Sequence, residues 1–237
     1  MRHPEKPDVY IMCAQMPPAL VEGAEHLIEY WVDGSDRVDG GLRKGYTERF
    51  INGELYKRFP SIQCLVHSHA EAVIPYAVVD EVPLLPVYHM GGFLGRPVPV
   101  WDPALLYNDS DRQDMRVNTE RLGASLAEAF GPLQEGVLME PEWNVVLIKR
   151  HGYTMFGKDI ATACYRAIYT LVNAGIQTNA TLLRAASKGA GAGDVMVQGL
   201  SQRHAQDCQI MTEATQFKSW DLWKREVEAS PLYKNSV

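Results

Sequence analysis

Asn144-Val145-Val146-Leu147-Ile148-Lys149-Arg150-His151-Gly152 is the stretch from which the fold is read. Its apolar centre is short, β-branched and closed by charged residues and a glycine, which predicts a buried strand rather than a helix. That strand delivers His151 to its own end, beside a turn. A second short strand, Ile62-Gln63-Cys64-Leu65-Val66-His67, runs into Ser68-His69. In an extended chain residues i and i+2 share a face, so His67 and His69 present both imidazoles to one point. Two strand ends in one sheet, each offering histidine, predict a metal site made of His67, His69 and His151. Three protein ligands with a position left open mark a catalytic metal rather than a structural one. Spacing alone leaves a second reading open, in which the His-x-His is a polar strand edge or a hydrogen-bonded pair.

Outward from these strands the chain alternates unevenly. Residues 8–14 read as a buried strand, stopped at Met16-Pro17-Pro18 because proline cannot continue a ladder. Residues 29–34 read as a strand and turn, and 37–45 as a polar, glycine-rich loop. From 47 the period changes: Phe50, Ile51, Leu55 and Phe59 recur at helical spacing, Thr47 is the expected N-cap, and the helix stops before Pro60. A further helix is expected from His69 through Ala77. Residues 84–89 form an extended piece between prolines, 91–95 a loop, 98–101 a short strand and 115–130 a helix. Gly152 and Gly157 are expected to bracket a turn. Residues 159–187 predict a long helix with Ile160, Ala163, Ala167, Ile168, Leu171 and Val172 on its buried side. Residues 189–193 form a glycine-rich break and 198–228 are helical. The expectation is one domain over 1–237, with 189–237 as a helical C-terminal extension. The uneven alternation favours α/β or α+β with mixed pairing over a regular doubly wound sheet.

Composition bounds the rest. Hydrophobic residues at 46% and charged residues at 22% of 237 match an ordinary globular domain, large enough to need no disulfide staples. The net charge of −6 argues against a nucleic-acid surface, which needs a basic face. Cys13, Cys64, Cys164 and Cys208 form no CxxC pair and read as reduced. No signal peptide and no apolar run of roughly 20 residues is visible, so a cytoplasmic protein without a membrane span is expected.

The set Leu65-Val66-His67-Ser68-His69-Ala70, Arg150-His151-Gly152 and Gly157-Lys158-Asp159-Ile160 resembles the class II aldolase/adducin family, from about Arg2 to Arg184. The resemblance implies an α/β fold, a three-layer α/β/α sandwich with a mostly antiparallel central sheet. It implies that His67, His69 and His151 bind one divalent ion, zinc, manganese, iron or cobalt. It makes Glu48, after Thr47 at a helix start, the catalytic base. Tyr88 and His89 fall where family aldolases keep a tyrosine acid, and either can donate a proton. Thr47, Arg49 and Phe93 are expected to contact substrate. A homo-oligomer, a tetramer, is also implied.

Three further segments resemble a family branch of decarboxylases acting on hydroxylated aromatic or pyridine carboxylates. They are Glu48-Arg49-Phe50-Ile51-Asn52-Gly53-Glu54-Leu55-Tyr56, Val87-Tyr88-His89-Met90-Gly91-Gly92-Phe93-Leu94-Gly95, and Trp220-Asp221-Leu222-Trp223-Lys224-Arg225-Glu226-Val227-Glu228. Sugar-phosphate members cradle phosphate with hydroxyls and backbone amides. Here Ala14-Gln15-Met16-Pro17-Pro18-Ala19 supplies few of either. Met16, Tyr46, Tyr88, Phe93 and Trp101 instead suggest apolar walls for a flat, non-phosphorylated, carboxylated small molecule. Family members also carry a helical segment before the position of His3-Pro4, whose loop borders the substrate. The expected function is a metal-dependent carbon–carbon lyase, decarboxylating or aldol-cleaving through a stabilised enolate. The alternatives are a non-haem iron oxygenase of an aromatic metabolite, a sugar-phosphate aldolase or epimerase, and an adducin-like interaction module.

Overall fold

A computed structural model describes residues 1–132, 140–187 and 197–235. Its strands are β1 (Val9–Cys13), β2 (Leu27–Trp31), β3 (Cys64–Ser68), β4 (Val100–Trp101), β5 (Val145–Ile148) and β6 (Gly152–Gly157). Its α-helices are α1 (Arg49–Arg58), α2 (Glu120–Glu128), α3 (Ile160–Ser187), α4 (Gln202–Thr215) and α5 (Phe217–Ala229). The four-stranded sheet runs β3-β6-β5-β4, antiparallel except for the parallel β4–β5 pair. β1 and β2 form a separate antiparallel ladder with Val9 opposite Trp31.

The β5 run is continuously apolar because both faces of its sheet are covered. Val146 and Ile148 join a cluster with Tyr10 and Tyr30 from the small ladder, Leu55 from α1, Phe59 just past its end, and Leu122 and Leu126 from α2. Val145 and Leu147 point the other way, into a cluster with Tyr153 and Met155 from β6 and Tyr165 and Ala174 from α3. All four β5 side chains are at most 2% exposed. Each contributes about 1.5–3 kcal/mol by leaving water, so this strand joins the two halves of the core.

Several sequence expectations change. Gly152 and Gly157 do not bracket a turn; they are the first and last residues of β6. The helix expected after His69 is a 3-10 turn at Ile74–Ala77, with Pro75 in its first turn. Residues 91–95 fall largely within a 3-10 helix, His89–Leu94. There the bare Gly92 lets α4 approach, since a Cβ would lie 2.7 Å from the Ala205 carbonyl oxygen. Thr47 is not the N-cap of α1; Glu48 takes that position, and the Thr47 hydroxyl bonds the Gln15 side chain at 3.1 Å. The C-terminal helical stretch is two helices, α4 and α5, meeting at Gln216. The glycine-rich break at 189–193 lies outside the described residues.

α3 carries the most instructive correction. Ile160, Leu171 and Val172, expected inside, are exposed by 46%, 37% and 36%. The buried side is largely polar, with Arg166, Thr170, Asn173 and Gln177. Residues 83–87 explain it. Pro83 and Pro86 cannot donate to a ladder, so side-chain amides of α3 satisfy this extended piece instead. Asn173 bonds the Val87 amide at 3.0 Å and the Leu85 carbonyl at 2.7 Å. Gln177 bonds the Leu85 amide and the Pro83 carbonyl, both at 2.8 Å. Buried backbone groups need such partners. No helix among the described residues is long and apolar enough to cross a membrane.

Candidate metal centre

β3 and the β5–β6 turn bring the histidines together. His67 sits opposite Thr154 in the β3–β6 ladder. His151 lies in the tight turn between β5 and β6, where Arg150 has a φ of 57° and the His151 amide bonds the Ile148 carbonyl at 3.1 Å. Gly152 follows because the strands close up there: a Cβ would stand 2.2 Å from the Ser68 carbonyl oxygen and 3.1 Å from the His69 ring. The glycine of the His-Gly pair therefore lets two ligand-bearing segments touch.

The three Nε2 atoms converge. His67 and His69 are 2.9 Å apart, His67 and His151 3.3 Å, and His69 and His151 2.8 Å. The outer ring nitrogens say which tautomers are present. His151 Nδ1 lies 2.7 Å from the Met115 carbonyl oxygen, and His67 Nδ1 3.1 Å from the Tyr153 carbonyl oxygen and from Thr154 Oγ1. A carbonyl only accepts, so both Nδ1 atoms donate and both Nε2 atoms carry lone pairs. Those two lone pairs face each other and cannot hydrogen-bond. A cation between them satisfies both, and outer N–H groups held by carbonyls are the usual support of metal-binding histidine. Tetrahedral coordination at about 2.0–2.1 Å separates nitrogens by about 3.3–3.4 Å. The observed triangle is slightly tighter, which a small ligand movement accommodates.

Glu48 joins the group from the start of α1. It is only 5% exposed. Its Oε1 accepts the Val117 amide at 3.0 Å and lies 3.5 Å from His151 Nε2, while Oε2 lies 3.9 Å from His67 Nε2. Together the carboxylate and three imidazoles place one donor atom each within 4.8 Å of one another. Burial, then the neighbouring His151 and His69, pushes His67 down to about 3. Burial, then His151, also lowers His69, against the pull of Glu48. Burial thus favours the neutral form of His67 and His69, the form that binds metal. A divalent cation among these donors would pair with the buried Glu48 carboxyl group.

The other expected site residues divide. A pocket of ≈ 210 Å³ adjoins Glu48 and His67, walled by Met1, Ile11, Met12, Cys13, Pro18, Tyr46, Ile51, Asn52 and Leu65. Thr47 and Arg49 line a different, more polar hollow of ≈ 700 Å³ with Arg37, Lys44 and Asn118. Arg49 there donates to the Ser35 carbonyl at 2.7 Å. Tyr88 and His89 stack edge-on with ring centres 4.6 Å apart, and Tyr88 also approaches Tyr169. They make no contact with the donor cluster of their own chain. Phe93 is 2% exposed and packs edge-on to Tyr165 within the α3-side core. Trp101 is buried in the other core cluster, where Met16 packs against it, leaving Tyr46 alone of the five expected walls beside Glu48 and His67. Sequence reasoning missed the Met115 carbonyl and the Val117 amide. Both are backbone groups, which every residue carries, so neither leaves a mark in the sequence.

The sequence profile of the Class II Aldolase and Adducin N-terminal domain family matches residues 1–178. The chain is 39% identical to Decarboxylase tropJ of Talaromyces stipitatus over 236 residues, spanning 99% of this chain and 87% of that protein. The structure matches an aldolase II superfamily protein from Pseudomonas syringae with a TM-score of 0.62 at 18% identity, over 98% of this chain and 82% of that one. It matches L-fuculose-1-phosphate aldolase from Thermus thermophilus with a TM-score of 0.53 at 21% identity, over 76% and 81% of the two chains. The two structural matches show a shared three-layer α/β/α fold with a mostly antiparallel central sheet.

Proposed function

We propose that this chain, which belongs to the class II aldolase and adducin family, is a metal-dependent lyase that decarboxylates a flat, hydroxylated, non-phosphorylated carboxylate. The observation that carries this reading is the donor cluster His67, His69, His151 and Glu48, of which Glu48 and His67 line a small pocket with several apolar walls. The walls contributed by Ile11, Met12, Tyr46 and Leu65 suit a ring. The 39% identity to a decarboxylase over nearly the whole chain supports the same reading.

His67, His69 and His151 hold the ion, with Glu48 beside them. A bound divalent ion supplies Lewis-acid stabilisation of the negative charge that develops when a carbon–carbon bond breaks. The protein positions what surrounds it. The Met115 carbonyl and the Tyr153 carbonyl fix the outer nitrogens of His151 and His67, so both rings present Nε2 inward. The Val117 amide fixes Glu48 Oε1, leaving Oε2 to move the proton that replaces carbon dioxide on the substrate carbon. Tyr88 and His89 reach a metal centre as proton donors when a neighbouring copy delivers them, in a homo-oligomer, a tetramer, in the cytoplasm. Static light scattering that returns a monomer at micromolar concentration would remove that part of the reading.

The test is a substrate panel with the metal-loaded protein: hydroxybenzoates, pyridine carboxylates, 2-oxo acids, fuculose phosphate and ribulose phosphate. Release of carbon dioxide from a ring carboxylate is the expected result. Turnover of the phosphates alone would overturn the proposal, and oxygen uptake would replace it with the oxygenase reading.

A further inference from the structure

The segment that completes the metal centre also carries an arginine with no role in the chemistry above. Residues 114–118 are fastened at two points to the donor cluster. The Met115 carbonyl accepts from His151, and the Val117 amide donates to Glu48. Met115 adopts a φ of 64°, a region a side-chain-bearing residue enters only when its surroundings hold it there. Arg116 lies between these two attachments, so its Cα is fixed to the site more firmly than an ordinary loop residue.

The side chain is set up to bind an anion. Asp114 Oδ2 takes the Nε–H of Arg116 at 3.0 Å and also its Nη2. The same carboxylate receives Arg112 at 3.2 Å. Two guanidinium groups on one carboxylate leave a surplus positive charge. Nη1 of Arg116 has no protein partner among the described residues, and the side chain is 40% exposed. The Met115 carbonyl and the Val117 amide, on either side of Arg116, both bond residues of the donor cluster, which brings this stretch of backbone to the centre. An exposed ion pair contributes little to stability, and the rigid arm is not needed for that purpose. A planar guanidinium with free N–H groups suits a carboxylate.

We propose that Arg116 binds the carboxylate of the substrate at the metal centre, with Asp114 as the residue that positions its guanidinium. The inference rests on the lyase reading and names the group that selects carboxylated ligands.

Calorimetry with zinc-loaded protein tests it, using 2,3-dihydroxybenzoate and catechol as probes, which differ by one carboxylate. Metal content is measured alongside by mass spectrometry. The wild-type protein should prefer 2,3-dihydroxybenzoate. Arg116→Met should weaken that probe on the order of 10-fold to 100-fold, as expected for loss of a charge-assisted hydrogen bond, and leave catechol and zinc content unchanged. Arg116→Lys should recover part of the preference, and Asp114→Asn should erode it. If the wild type discriminates and Arg116→Met still does, the Arg116 assignment fails while the lyase reading stands. If the wild type shows no preference for the carboxylated probe, both fall. If Arg116→Met loses zinc, the arm serves the metal rather than the ligand, and the assignment is overturned.

Discussion

Replacing Gly152 by alanine tests whether the close approach of β3 and β6 builds the metal centre. A Cβ at this position would lie 2.2 Å from the Ser68 carbonyl oxygen. Ordinary carbon–oxygen contact requires about 3.2 Å, so the strands must part by about 1 Å. Overpacking of this kind costs typically 1–3 kcal/mol, and the obstruction here is backbone, which places the cost near the upper end. For a chain of this size about 3 kcal/mol lowers Tm by roughly 6–12 °C. The larger effect falls on the metal, because ligand positions tolerate only about ±0.2 Å and the displaced segments carry His69 and His151. Gly157→Ala is the matched control. Its Cβ would meet the Ala163 amide nitrogen at 2.4 Å, at the opposite end of β6 from His151. Urea unfolding in EDTA should show both variants destabilised. Zinc titration of the folded proteins should show affinity lost on the order of 100-fold in Gly152→Ala alone. Equal zinc affinity in the two variants, or wild-type stability in Gly152→Ala, would refute the reasoning.

Three further outcomes follow from the same geometry. His69→Ala should lose more than about 100-fold in metal affinity while the metal-free protein keeps its stability within about 0.5 kcal/mol, because the His69 ring hydrogen-bonds only within the triad; full metal occupancy in this variant would disprove the ligand set. Glu48→Gln keeps an acceptor for the Val117 amide, so fold and most metal should survive while turnover falls at least 100-fold; unchanged turnover removes Glu48 as the proton-transfer group. In metal-free protein, His67 sits at about 3 against an ordinary 6.5, so the unfolded chain binds the extra proton between those values and stability falls as pH drops through that window. From pH 6.5 to 5 His67 alone removes about 2 kcal/mol, His69 adds in the same direction, and His67→Gln should flatten the urea midpoint against pH.

The side chains of the candidate metal centre were legible in the sequence through local signals. The two-residue period of an extended chain brings His67 and His69 to one side at the end of β3, and His151 follows the apolar strand β5 in its turn. Most elements were legible too, since β-branched runs, prolines and helical spacing are local signals. Where the reading went astray, a distant partner had changed the rule. Apolar spacing put the inner side of α3 on Ile160, Leu171 and Val172, yet Asn173 and Gln177 face inward because Pro83 and Pro86 leave residues 83–87 without a ladder. Gly152 and Gly157 suggested a turn, but they are glycine because Ser68 and Ala163 come within a Cβ's reach.

By itself the sequence determined the donor types, the apolar run that forms the sheet's centre, and the helix that starts beside Glu48. Tertiary structure alone decided that a carbonyl from Met115 and an amide from Val117 would aim His151 and Glu48 at one point. It likewise placed Arg49 against the Ser35 carbonyl and Phe93 against Tyr165. The physical reason is that side-chain identity and local periodicity are written along the chain, whereas hydrogen bonds between a side chain and a backbone group 36 or 69 positions away depend on where the packed core brings them.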